Sequence, residues 1–281
     1  MGAAPAAGPA GTLTMLADVR PPAAAGSFYP ADRAELARSV DRLLVASDAD
    51  GGPRPAGLIV PHAGYRYSGK VAAAAYGRVR ARASEIRRVM ILGPAHFAVL
   101  DACATTSGAA WRTPLGDVLV DDELRETALQ TGLVRVDDRA HADEHAVEVQ
   151  LPFLQPILGE RMRFLPLAVG DVPPADVAAI LGTLEPAADL FVVSTDLSHY
   201  EDAEAARRHD DRTIAGILAR DPDAIGPYDA CGRSALRGAL SFARVRGFDM
   251  RLLSTATSAD AGADPDRVVG YASFAIAVDR W

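Results

Sequence analysis

An α/β fold is what this sequence predicts: a single domain with a central, mostly parallel or mixed sheet flanked by helices. Three observations predict it. Short uninterrupted apolar runs, such as Leu58-Ile59-Val60, Val89-Met90-Ile91-Leu92 and Leu190-Phe191-Val192-Val193, read as strands buried on both faces. Amphipathic segments with helical spacing alternate with those runs. No internal repeat or linker interrupts the alternation, and 281 residues at 49% apolar content can bury one large core.

Taken in order, Asp32 caps a helix from Arg33 to about Val45, with Leu36, Val40, Leu43 and Leu44 on one face. Gly57–Val60 is a strand, followed by a loop and a helix from Lys70 to about Val79. Val89–Leu92 is a second strand, ended by Gly93-Pro94, and Cys103 lies in a β-like run before Trp111. Asp122 caps a short helix to Thr131. A longer helix is expected from Asp143 to Leu158, with Val147, Leu151, Leu154 and Leu158 as its stripe and bends at Pro152 and Pro156. Strands at Phe164–Val169 and Leu190–Ser194 bracket a helix from about Ala175 to Leu184. Glu201–Leu218 and Arg233–Val245 read as helices, Leu252–Thr255 and Val269–Ala277 as closing strands. Residues 1–18, almost all Ala, Gly and Pro, are expected to be a disordered leader, with Met15 as a second candidate start. Residues 19–281 are the folded domain.

Charge and composition exclude several classes. The net charge of −8 argues against nucleic-acid binding through a basic face. No run approaches the roughly 18 apolar residues of a membrane span, so no membrane partner is expected. The leader lacks the charged and leucine-rich parts of a secretory signal, and Ala6 breaks the myristoylation pattern. Two cysteines make no disulfide scaffold, and a cytoplasmic location keeps both reduced. The abundance of Ala, Gly, Pro and Arg fits a GC-rich bacterial genome. Lys70 is the only lysine, so any lysine chemistry must use it.

Three of the six histidines follow strand ends. His62 stands in Ile59-Val60-Pro61-His62, His96 in Leu92-Gly93-Pro94-Ala95-His96, and His199 after Ser194-Thr195-Asp196-Leu197-Ser198. Open α/β sheets bind ligands outside the carboxyl ends of their strands, so the three should converge on one site. Neutral imidazole is the commonest metal ligand near neutral pH. Cys231, Asp196, Glu144 and Glu148 are the candidate anionic ligands. Cys231 precedes a helix start, which favours a thiolate; Cys103 reads as a small buried hydrophobe. His145 and Glu148 share a helix face at i and i+3.

Two motif matches fail on their own terms. Gly64 to Val71 fits G-x-x-x-x-G-K, but Val71 stands where a phosphate loop needs Ser or Thr for magnesium. Tyr65 and Tyr67 more plausibly line or lid the site. His141-Ala142-Asp143-Glu144-His145 fits H-x-x-E-H, but an Asp143 helix cap leaves His141 outside the helix and off the face of His145. Arg66 and Arg233 lie beside the His62 and Cys231 segments as local positive charge.

Together these stretches resemble the Memo family, whose bacterial members are labelled AmmeMemoRadiSam system protein B. The resemblance rests on Ala25–Pro30, Pro61–Tyr65 with Tyr67-Ser68-Gly69, Leu92–His96, Arg112–Gly116, Asp143–Glu148, Ser194–His199, Cys231-Gly232-Arg233 and Val269–Ala272. It runs in order over nearly the whole chain and departs at Phe97 and Ser234, where animal members carry histidine. The resemblance implies a class III extradiol dioxygenase-like fold. It also implies a metal site of His62, His96 and Cys231, with His199 as acid/base and Asp196 beside it. Tyr65, Tyr67, His145, Glu148 and Arg233 are then expected around the substrate. One iron(II) or copper ion is implied, with zinc as a further option, serving a non-haem oxidoreductase that acts on a small molecule. A non-catalytic copper- or iron-binding or protein-interaction module is the alternative. Bacterial members are often encoded beside a radical-SAM protein, which implies a pathway partner.

Overall fold

The computed structural model describes residues 19–47 and 53–278; the expected leader at residues 1–18 lies outside them. The strands are β1 (Val19–Arg20), β2 (Pro55–Val60), β3 (Arg88–Pro94), β4 (Cys103–Thr105), β5 (Ala110–Thr113), β6 (Gly116–Val120), β7 (Val134–Val136), β8 (Arg163–Val169), β9 (Leu190–Ser194), β10 (His199–Glu201), β11 (Asp249–Thr257) and β12 (Val268–Ala277). The helices are α1 (Arg33–Val45), α2 (Tyr65–Arg80), α3 (Asp122–Gln130), α4 (Arg139–Ala142), α5 (Leu151–Leu158), α6 (Pro174–Leu184), α7 (Ala203–Leu218) and α8 (Arg233–Arg246). None of these helices is long and apolar enough to cross a membrane.

One mixed sheet runs in the order β1-β5-β6-β8-β3-β9-β2-β12-β10, with β11 on β12 and β4 joining β7 to β8. Its centre, β6-β8-β3-β9-β2, is parallel, and β12 closes it antiparallel to β2. Alternation within the apolar runs explains why both faces are covered. Leu58, Val60, Val89, Ile91 and Val192 pack with Leu36, Val40, Tyr76 and Phe153 on one side. Ile59, Met90, Leu92, Phe191 and Val193 pack with Leu181, Leu236 and Leu240 on the other. The α1 helix starts where Asp32 accepts the Glu35 N–H at 2.8 Å, and it buries Leu36, Val40 and Leu44.

Two helix expectations are corrected. The α2 helix begins at Tyr65, directly after Gly64, five residues earlier than expected. Gly69 and Lys70 therefore lie inside it, where backbone N–H groups are committed to the helix and cannot cradle a phosphate. A Cβ on Gly69 would stand 2.9 Å from Leu43 Cδ1, so the glycine serves the close approach of α1 to α2. The long helix expected over 143–158 is broken. His141 is inside α4 and Asp143 lies at its C-terminal end, the reverse of the expected capping. A 3₁₀ turn spans Glu148–Gln150, and α5 starts at Leu151 with Pro152 in its first turn. Proline has no N–H for a preceding helix to use, and the Ala146 N–H goes instead to the Glu144 carboxylate at 2.9 Å.

Candidate metal centre

Strands β3, β9 and β2 are parallel neighbours, so their carboxyl ends share one edge of the sheet. His96, Asp196 and His62 each stand two residues beyond those ends. Two glycines bring other segments to that edge. A Cβ on Gly93 would stand 3.0 Å from Ala146 Cβ, and one on Gly232 would stand 2.8 Å from the Ser194 carbonyl oxygen. The absence of side chains there admits the segments that carry His145 and Cys231.

His62 is buried. Its Nδ1 lies 3.0 Å from Ser194 Oγ, its Nε2 3.1 Å from Cys231 Sγ, and its backbone N–H donates to Asp196 Oδ1 at 2.8 Å. His96 Nδ1 donates to Glu144 Oε1 at 2.9 Å and its backbone N–H to Glu144 Oε2 at 2.5 Å. His145 stacks between Phe28, at 4.1 Å between ring centroids, and His96, at 4.8 Å. The rings of His96 and His145 both meet that of His62 edge-on, at 5.2 and 5.3 Å. One nitrogen from each of His62, His96 and His145 lies within 4.8 Å of the other two, a spacing able to hold one metal ion.

The electrostatics follow from burial. Burial, reinforced by His96, pushes the His62 imidazole down to about 3. Burial, then His62, pushes His145 down to about 4. Both rings are neutral near pH 7, the form that binds metal. Burial also works against the Glu144 carboxylate, but the hydrogen bond and charge of His96 with the Ala146 N–H outweigh it and leave Glu144 down at about 2. The helix start expected to favour a Cys231 thiolate is outweighed as well. Burial, then Asp196, pushes that thiol up to about 12, and its sulfur lies 3.1 Å from His62 Nε2 and 3.7 Å from the Asp196 carbonyl. Asp196 is buried and held above the ordinary carboxylate range by burial, despite the N–H groups of His62 and Ala63.

His199 lies on β10, half-buried, with Nδ1 2.7 Å from the Leu197 carbonyl. A carbonyl only accepts, so Nδ1 carries the proton and Nε2 offers a lone pair. His199 pairs with Val269 at the start of β12, which runs antiparallel to β2, so it lies at the same edge as the carboxyl end of β2. The next residue, Tyr200, has a φ of 63°, a left-handed conformation that a bulky residue adopts only under constraint. Its ring lies 4.5 Å beneath the Arg267 guanidinium.

The residues expected around a substrate divide. His145 belongs to the histidine group itself. Tyr67 is on the first turn of α2 and bears on Tyr271, a buried phenol held above its usual range by burial, Asp196 and Tyr67. Arg233 opens α8 beside a cleft of about 390 Å³ that also touches Cys231, Pro94 and Ala98. Tyr65 and Glu148 are corrections. Tyr65 is buried in the core beneath α2, tilted against Phe153 and donating to the Val149 carbonyl at 2.6 Å. Glu148 is turned into the core, where it takes Arg20, Tyr29 and the N–H groups of Ala23 and Ala24. Glu148 opens a 3₁₀ turn there, so the regular helical face shared with His145 is not kept. His141 is also separate: its Nε2 faces the Ala104 carbonyl at 3.1 Å and its ring meets Trp111 edge-on. Sequence reasoning missed Ser194, Gln150, Tyr76 and Tyr271, which lie in apolar or small-residue surroundings that read as core. Glu144 was weighed only as a ligand, whereas it anchors His96.

Residues 20–275 match the family model described as Memo-like protein. A MEMO1 family protein of Methanopyrus kandleri is 37% identical over 278 residues, covering 91% of this chain and 98% of that one. One of Thermoplasma volcanium is 34% identical over 91% of this chain and 97% of its own. One of Aquifex aeolicus is 40% identical over 71% of this chain and 74% of its own. Among solved structures, that of an uncharacterised protein from Escherichia coli K12 superposes with a TM-score of 0.53 at 11% identity, covering 79% of this chain and 100% of that one. That likeness concerns the fold alone.

Proposed function

Since the chain belongs to the Memo-like family, we propose that it is a metal-dependent oxidoreductase that uses one iron(II) or copper ion and O₂ on a small substrate. The observation that supports this reading is the convergence of His62, His96 and His145 nitrogens within 4.8 Å, with Cys231 Sγ 3.1 Å from His62 Nε2. The donor set suits a metal. His96 has its Nδ1 proton committed to Glu144, leaving Nε2 a lone pair, and His62 Nε2 lies beside the Cys231 sulfur. His62 and His96 hold the ion in this reading, and Cys231 supplies the anionic ligand by losing its proton. When bound, the metal supplies a Lewis acid and a redox partner for O₂.

The chain's own groups then divide the remaining work. His199, with Nδ1–H pinned to a carbonyl, offers Nε2 to a substrate hydroxyl as general base. Asp196 holds the His62 loop through two N–H groups. Phe28, Phe97 and Tyr67 give the rim aromatic surface for a ring-bearing substrate. Zinc would fit the same donors without redox chemistry.

The second reading is a copper- or iron-binding or protein-interaction module without turnover. The thiol favours it, because sulfur with imidazole prefers Cu(I) to iron(II). Protein purified without oxygen decides between the two. One equivalent of iron with O₂ consumption supports the oxidoreductase, and tight Cu(I) without O₂ uptake supports the module. Cys231→Ser should lose soft-metal affinity with its fold intact. His145→Ala should keep the ion; its loss would make the third histidine a ligand. Retention of a full equivalent in His62→Ala would refute the site.

A further inference from the structure

Behind His62 runs a chain of hydrogen bonds with one consistent assignment of protons. The Pro61 carbonyl lies 3.1 Å from one terminal atom of the Gln150 amide. Since that carbonyl can only accept, the atom is the amide nitrogen, and the amide orientation is fixed. Its oxygen accepts the Tyr76 hydroxyl at 2.8 Å. The second amide hydrogen points to Ser194 Oγ at 2.8 Å. Ser194 has one proton, and the Ala146 carbonyl, 2.6 Å away, takes it. His62 Nδ1, 3.0 Å from the same oxygen, therefore has to bring its own proton.

We propose that Gln150 and Ser194, with Tyr76 behind them, are positioning residues that hold His62 as its Nδ1–H tautomer and present the Nε2 lone pair at the sheet edge. Glu144 does this for His96 and the Leu197 carbonyl for His199, so three imidazoles on one edge are set to the same tautomer by three unlike acceptors. Serine is a weaker guide than a carboxylate or carbonyl, because its proton can rotate. Gln150 removes that freedom by occupying one acceptor lobe while Ala146 takes the proton. Such partners typically change metal affinity by roughly 10- to 100-fold. The use of the relay rests on the metal-centre reading; its geometry does not.

The test is nitrogen-15 NMR of the histidine side chains in chelator-treated protein near pH 7.5, with zinc alone as the binding probe. The wild-type protein should show His62 protonated on Nδ1 and bare on Nε2, which needs no variant. Ser194→Ala should move His62 towards the Nε2–H form, which can donate to Cys231 Sγ, and weaken zinc binding roughly 10- to 100-fold. Gln150→Met should give a mixed tautomer and a smaller loss, because the serine proton regains its choice, and Ser194→Thr should restore the wild-type spectrum. A wild-type His62 bare on Nδ1, or a Ser194→Ala spectrum unchanged from wild type, overturns the relay. If the tautomer shifts as expected while no variant, wild type included, binds zinc, the relay stands and the metal reading falls.

Discussion

Two clusters of polar groups flank the segment from Arg139 to Gln150, and they differ in what they leave unused. The Glu148 carboxylate and the Arg20 guanidinium have nothing spare, although Trp111 Nε1 and His141 Nδ1 beside them lack hydrogen-bond partners. The Arg20 guanidinium gives its protons to Glu148, the His141 carbonyl and the Glu144 carbonyl at 2.5 to 2.7 Å and lies 4.1 Å above the Trp111 ring. Glu148 accepts four donors: Arg20, Tyr29 and the Ala23 and Ala24 N–H groups. On the other side, His96 and His199 each use one nitrogen and keep a lone pair on the other, and His145 Nδ1 makes no hydrogen bond, lying 3.4 Å from Glu144 Oε1. A saturated buried ion pair fixes a fold, because its donors meet its acceptors and neither partner keeps capacity to bind anything else. An unsaturated one at a sheet edge retains capacity for a ligand.

That contrast can be broken from either side. The largest effect belongs to His199→Ala, which should lower turnover by roughly 10²- to 10⁴-fold, the usual worth of a positioned acid or base, with metal content unchanged. Loss of the ion would make His199 a ligand. On the saturated side, Arg20→Ala leaves the Glu148 carboxylate buried without its cation and should cost about 3–5 kcal/mol of stability, read by denaturant melts. Zinc stoichiometry of the folded fraction should hold; a fall there would mean the two clusters are one. Glu144→Gln keeps the shape but weakens the pin on His96, and should reduce metal affinity by roughly 10- to 100-fold in an equilibrium titration.

Acid gives a smaller, graded test. His62, His141 and His145 are pushed down to about 3, 4 and 4 in the fold, while unfolded imidazoles protonate near 6.5. The unfolded chain therefore binds more protons over that interval, so stability is complete above about pH 6.5 and falls as the pH drops towards 4. Thermal melts from pH 7 to 4 should show it, and His145→Asn should flatten the slope. The smallest effect is none: Lys70→Ala should leave ATP binding undetectable, as in the parent, because Lys70 lies within a helix.

Much of this organisation was legible beforehand. The strands β2, β3, β8, β9 and β12 stand out as apolar runs, and the placing of His62, His96 and His199 at one edge follows from strand ends in a parallel sheet. The short strands β4, β7 and β10 have too few residues for a pattern to emerge. The segment from Asp143 to Gln150 misled for a definite reason. Its apolar residues keep helical spacing, yet the path is set by the Glu144 side chain capturing local N–H groups and by Pro152, both tertiary or covalent constraints that periodicity does not register. Glu148 therefore faces the Arg20–Tyr29 side and not the histidines. Gln150 and Tyr76 carry no motif, and their role exists only in the geometry of hydrogen bonds between distant segments.

The contact between His62 and Cys231 joins positions 169 residues apart in the chain, and that between His96 and Glu144 joins positions 48 apart. No fragment shorter than the stretch from His62 to Cys231 brings the donors together. An ion bound there clasps two segments far apart in the chain, and an unfolded chain has no equivalent place to put it. By mass action, free ion at a thousand times its dissociation constant would add about 4.1 kcal/mol to the folded state. Loops this long close late in folding, so the clasp would act mainly to slow unfolding, and the lifetime of the domain would depend on the supply of its ion.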